Sequence, residues 1–144
     1  MKTHLNLATS DIHKSIAFYS TLLNATPAKV LPDYALFVTD EPALELALDL
    51  REGVQVGADA HYGVCVETAL DVELAIERLT ASGLISSVER EETCCYANQT
   101  KVWTIDPEGR RCEVYTVHED TEDRDDEDTI CCASDGEARL CCAA

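Results

Sequence analysis

The chain has 144 residues, enough for one domain with a hydrophobic core and too few for two. Its 11 basic and 28 acidic residues leave a net charge of −17, which repels nucleic-acid phosphates and anionic membrane surfaces and so argues against both as partners. No apolar run reaches the roughly 20 residues of a membrane-spanning helix, and Met-Lys-Thr-His-Leu-Asn-Leu at the start lacks the apolar stretch of a secretion signal, so a cytoplasmic protein is expected.

The pattern along the chain runs through one order of elements twice. Thr3–Leu7 reads as a strand. Ser10 is placed to cap a helix from Asp11, with Ile12, Ile16, Tyr19 and Leu23 at helical spacing. Strand-like stretches follow at 28–31, 34–38 and 44–50. After a Gly-rich, charged join at 51–60, the order restarts with a short strand at 61–66. Thr68 or Asp71 opens a second helix through Ser82, with Val72, Ile76 and Leu79 on one face and Gly83 as its stop. Strands are expected at 85–89, 101–105 and 112–117, the last two joined by the turn Asp106-Pro107-Glu108-Gly109. The segment 91–100 is polar and reads as a loop. From His118 to Ala144 there are 10 acidic and 2 basic residues and no apolar periodicity, so a disordered acidic tail is expected. The division is therefore a domain over 1–117, with modules at about 1–50 and 61–117, and a tail over 118–144.

Two histidines occupy matching places, His4 and His61, in the first strand of each repeat. Alternation puts His4 with Asn6 and His61 with Gly63 and Cys65, away from the apolar faces. Glu113, in the last strand, faces opposite to Cys112 and Val114. Two imidazoles and one carboxylate form a facial set that leaves coordination positions open on a divalent metal such as Fe(II). On spacing alone, two strand histidines and a solvated glutamate account for the same residues.

The eight cysteines include three adjacent pairs, Cys94-Cys95, Cys131-Cys132 and Cys141-Cys142. In a reducing compartment they are expected to be mostly thiols. Adjacent α-carbons lie about 3.8 Å apart, too close for an unstrained bridge within a pair, so a pair is better suited to sharing one soft atom. On a regular strand Cys94 and Cys95 point to opposite faces, and gripping one atom needs a loop.

The duplicated βαβββ order with His4, His61 and Glu113 resembles the vicinal oxygen chelate superfamily, which includes glyoxalase I, bleomycin-resistance proteins, fosfomycin-resistance transferases and extradiol dioxygenases. The turn at 106–109 resembles that superfamily's approach to its carboxylate ligand. The resemblance covers about residues 1–117 and implies an α+β fold in which two tandem modules form a curved-sheet cup around a metal. Some relatives place a fourth ligand on the last strand of the first module. Here Glu45 is the only ligand-type residue near its middle, and water or substrate is the expected occupant.

Glu-Glu-Thr-Cys-Cys-Tyr-Ala at 91–97, followed by Lys101-Val102-Trp103, resembles the organoarsenical carbon–arsenic lyases and the cadmium-induced proteins. That resemblance implies Fe(II) on His4, His61 and Glu113, dioxygen as co-substrate, and a trivalent methyl- or aryl-arsenical held by Cys94 and Cys95 and cleaved to inorganic arsenite. Tyr96 and Trp103 are expected as core or rim residues, with packing against an aryl group as the alternative. Cys65 and Cys112 are expected to be buried structural thiols, and His13 and His118 surface residues. Cys131, Cys132, Cys141 and Cys142 are candidate accessory thiols. Two alternatives stand beside the lyase: a protein that sequesters cadmium or arsenic without turnover, and a metal-dependent thiol transferase of the fosfomycin-resistance type. The assembly is expected to be a monomer or a homodimer.

Overall fold

The structure is a computed structural model that describes residues 1–57 and 60–124. The elements are β1 (Thr3–Thr9), α1 (Ile12–Leu23), β2 (Lys29–Leu31), β3 (Tyr34–Thr39) and β4 (Leu44–Leu50). The second set is β5 (His61–Cys65), α2 (Ala69–Ala81), β6 (Ile85–Cys94), β7 (Ala97–Ile105) and β8 (Arg111–Asp120). They form two four-stranded sheets of identical topology, β1-β4-β3-β2 and β5-β8-β7-β6. In each, the first and last strands of the module run parallel and the other pairs antiparallel. The fold is α+β with two βαβββ modules. Among the described residues no helix is long and apolar enough to cross a membrane.

One face of each sheet is apolar, and both faces join the two helices in a single core. Leu7, Phe37, Leu46 and Leu48 from the first sheet and Val102, Cys112 and Val114 from the second belong to one buried cluster with Phe18, Tyr19, Val72 and Leu79 of the helices. Each fully buried side chain of this size contributes about 1.5–3 kcal/mol. The opposite faces, which carry the histidines, therefore look away from the shared core.

The helix starts follow local chemistry. α1 is capped by Asp11, whose side chain accepts from Lys14 N–H at 3.0 Å. Ser10, the expected cap, is engaged elsewhere: its N–H and Oγ donate to Glu108 Oε1 at 2.7 and 2.9 Å. α2 begins at Thr68 with a capping box, Asp71 returning a bond to the Thr68 N–H. Gly83, at φ +66°, follows its end in the left-handed region where only glycine sits without cost.

The largest departure lies in the second module. Residues 91–100, expected as a loop, continue β6 and begin β7, so the two strands form one long hairpin. β8 likewise extends to Asp120, where it pairs with Ala97. The expected disorder of the tail and its four cysteines, Cys131, Cys132, Cys141 and Cys142, concern residues outside those described.

Candidate metal and thiol site

On the outward face of the second sheet, β5 and β8 run parallel with Gly63 opposite Glu113. His61 precedes Gly63 by two residues and shares its face. His61 Nε2 lies 3.5 Å from Glu113 Oε1. Two donors at about 2.1 Å from one ion can be up to roughly 4 Å apart, so a single divalent ion fits between them. Glu113 is 7% exposed, and its Oε2 is buried without a hydrogen-bond partner. Gly63 makes this possible: a Cβ there would meet Tyr115 Cε1 at 2.9 Å, Glu113 Oε1 at 3.0 Å and Glu113 Cγ at 3.2 Å.

Around this pair stand residues of β6 and β7. Trp103, opposite Glu113 in the ladder, is buried and meets His61 edge-on at 5.3 Å between ring centroids. Its Nε1 donates to Glu89 Oε1 at 2.9 Å, and the Arg111 guanidinium lies 4.3 Å over its ring. Burial pushes the Glu89 carboxyl above the usual carboxylate range, against the pull of Lys101 and the indole bond. Lys101 is buried, with Nζ 3.6 Å from Glu113 Oε2.

His4 is not with them. It lies on β1, the edge of the first sheet, with Nδ1 3.6 Å from Glu45 Oε2. Among the described residues no group of three or more His, Cys, Asp or Glu side chains is placed to hold a metal. Within one chain the structure does not bring His4 together with His61 and Glu113: the modules share their apolar faces, and the histidine faces look away from the shared core. The ladder also settles which first-module residue matches Glu113. Glu113 pairs with the residue two after His61, and Ala47 pairs with the residue two after His4. The matching place holds alanine, and Glu45 sits two pairs away, opposite His4.

At the tip of the β6–β7 hairpin, Cys94 pairs with Ala97 and the turn consists of Cys95 and Tyr96 alone. Both have positive φ, 57° and 67°, as the two-residue turns that match strand twist require. Neither residue has the glycine or asparagine usual there, and each left-handed residue costs about 1–2 kcal/mol. This backbone brings Cys95 around to the side of Cys94, and their Sγ atoms are 3.2 Å apart. One soft atom with sulfur bonds of about 2.3 Å spans that separation. The dithiol geometry comes from the turn, where the sequence pointed to a loop. Cys94 is disulfide-bonded here, so two thiolates at the tip require its reduction.

The tip is braced by side chains that sequence periodicity does not reveal. Gln99 Nε2 donates to Cys94 O at 2.8 Å, and Asn98 Nδ2 donates to Glu91 O at 2.9 Å beside a bulge. Tyr96 N–H donates to Arg124 O at 3.2 Å and its O accepts from Thr121 N–H at 2.9 Å. Tyr96 is exposed and Trp103 buried. Cys65, expected as a buried thiol, is exposed on the His61 face. Cys112 is buried, and burial pushes its thiol up to about 12. His13 and His118 are exposed; His118 Nε2 is 2.8 Å from Thr100 Oγ1.

The turn expected at 106–109 proves to be the joint between the modules. Asp106, 4% exposed, accepts from Tyr19 OH at 2.8 Å, Arg110 Nη1 at 2.9 Å and the N–H groups of Glu108 and Arg110 at 2.9 and 2.7 Å. Arg110 Nη2 donates onward to Ala8 O at 2.6 Å.

The sequence profile of the glyoxalase/bleomycin resistance protein/dioxygenase superfamily matches residues 3–114. The chain is 43% identical over 141 residues to the cadmium-induced protein CadI of Mycobacterium tuberculosis, covering 98% of this chain and 92% of that one. It is 41% identical over 141 residues to the trivalent organoarsenical cleaving enzyme of Thermomonospora curvata, covering 98% and 87%. Among solved structures, a glyoxalase/bleomycin resistance protein/dioxygenase from Alicyclobacillus acidocaldarius superposes with a TM-score of 0.68 at 18% identity, covering 83% of this chain and 92% of that one. The chain belongs to the glyoxalase/bleomycin resistance protein/dioxygenase superfamily.

Proposed function

We propose that the protein is a carbon–arsenic lyase that takes trivalent methyl- or aryl-arsenicals, uses Fe(II) and dioxygen, and releases inorganic arsenite. The observation that carries this reading is the hairpin tip, where Cys94 and Cys95 present two sulfurs 3.2 Å apart, on the same sheet as the His61–Glu113 pair. The 41% identical relative named as a trivalent organoarsenical cleaving enzyme supports it.

The roles follow from the chemistry of each group. Once reduced, Cys94 and Cys95 hold the arsenic, because a soft trivalent centre prefers thiolate. His61 and Glu113 are two of the metal's ligands, and His4 is the third. Bound Fe(II) would supply the place where dioxygen is activated for attack on the carbon attached to arsenic. Trp103, fixed by Glu89, walls the site and shields it from water. Within one chain His4 faces away from the other two, and β1 and β5 are both edge strands of their sheets. A homodimer that sets β1 of one copy beside β5 of the other completes the triad. The Cys131-Cys132 and Cys141-Cys142 pairs are accessory thiols for additional arsenic.

A second reading is favoured by the 43% identical cadmium-induced relative: the same dithiol sequesters a soft ion without turnover. One experiment separates the two. The reduced protein is loaded anaerobically with Fe(II), given methylarsenite or a trivalent phenylarsenical, and exposed to air. The lyase reading expects arsenite from the wild type. It expects none from Cys94→Ser or Cys95→Ser, with iron still bound in both. Arsenical binding without arsenite in the wild type establishes sequestration instead.

A further inference from the structure

Lys101 is 4% exposed, a rare position for an ammonium group, which is buried in proteins almost only with a charged partner. The carboxylates facing it are Glu113 and Glu89. Glu89 is its direct ladder partner on β6, and Tyr115 is its partner on β8. The Trp103 ring lies 5.6 Å from Nζ. Glu113 Oε2 points to this ammonium at 3.6 Å and has no hydrogen-bond partner, while Oε1 is the oxygen beside His61. Glu113 Oε1 and Cγ fill the space above Gly63 that a Cβ there would take. The two oxygens of Glu113 thus have different environments, one toward the metal position and one toward a fixed positive charge.

We propose that Lys101 is a positioning residue for the metal site: its ammonium occupies Glu113 Oε2, so the carboxylate offers Oε1 alone and coordination positions stay open. This rests on the reading of His61 and Glu113 as metal ligands. The physical trade is specific. A cation beside a cation site weakens metal binding by Coulomb repulsion, and what it gains is a one-oxygen carboxylate. Without it, Glu113 is free to bind through both oxygens and fill a position that a small molecule needs.

The test uses the full-length reduced protein with Co(II) alone, and separately Fe(II) with nitric oxide, a neutral diatomic that binds only at an open position. Lys101→Met is expected to bind Co(II) no more weakly than wild type. Its visible absorption should lose intensity as the coordination number rises, and nitric oxide affinity for the Fe(II) form should fall about tenfold. Lys101→Arg should keep the wild-type spectrum. Lys101→Gln carries the same test should Lys101→Met fail to fold. An unchanged spectrum and unchanged nitric oxide affinity overturn the inference. Glu113→Ala distinguishes the two levels: if that variant keeps Co(II) with wild-type affinity, the ligand reading itself has failed. If it loses Co(II) while Lys101→Met matches wild type throughout, the positioning role alone has failed.

Discussion

Opposite Asn6 in the first module stands Ala47, with Leu36 next across the ladder. At the matching places of the second module stand Glu113 and Trp103. The same comparison sets Tyr34 against Lys101 and Glu45 against Arg111. One ladder has been written with two contents. His4 and His61 alone are common to both faces, and the carboxylate, indole and buried ammonium belong to the second. The hairpins differ as well, since β2 has 3 residues and β6 has 10, with Cys94 and Cys95 at the far end. Repetition supplies the frame, and the departures from repetition supply the chemistry.

The sharpest way to test this division is to break each face in a different chain. His4→Ala and Glu113→Ala should each be inactive alone. In an equal mixture that exchanges subunits, half the dimers are mixed and each has one intact site, so activity should return to about a quarter of wild type. Arsenite release from the mixture against each variant alone is the measurement. No recovery would show that His4 does not serve a site in a second chain.

A second break falls where the modules are joined. Removing the Asp106 carboxylate strands Tyr19 OH and the Arg110 guanidinium in the core. Asp106→Ala should cost about 3–5 kcal/mol in urea unfolding, as expected when one partner of a buried ion pair is deleted. A loss under about 1 kcal/mol would mean that the Asp106 network contributes little to joining the modules.

The smallest effect concerns the other half of that joint. Burial would raise the Glu108 carboxyl, but the bonds from Ser10 and Thr9 outweigh it and hold it below its ordinary 4.5. A depressed carboxyl contributes stability above its unfolded value and loses it as pH falls through the folded one. Glu108→Gln should therefore be less stable than wild type at pH 7, by under about 1 kcal/mol because the group is partly exposed. The gap should close as the pH drops below 4.5. Thermal unfolding of both proteins across that range checks it.

How much of this was legible in the sequence depends on the range of the interaction. Helical spacing and period-2 alternation marked every strand and helix of both repeats, because those signals are local. The positions of His61 and Glu113 on one face followed from alternation. The hairpin tip did not, because Cys-Tyr has none of the turn residues that announce positive φ, and the polar run around it resembles a loop. Lys101 stands in the sequence only as part of Lys101-Val102-Trp103, because its burial depends on its neighbours on β6 and β8. Ser10 looked like a helix cap because its partner, Glu108, lies 98 residues away. The separation of His4 from the other two could not be read at all, since it depends on which faces the modules share.

The left-handed turn at Cys95 and Tyr96 has a consequence for timing. Once Cys94 is reduced, two sulfurs held on one side by the backbone would act as a chelate on the proposed arsenical, so an arsenic atom that loses one bond would still be tethered by the other and rebind before it could escape. Residence on the tip is then long, and spontaneous dissociation is a poor route off it. Departure is faster when an incoming thiol attacks the arsenic and takes its place bond by bond. On the proposed function, the hairpin is thus suited to give up arsenic by exchange with another thiol rather than by free dissociation.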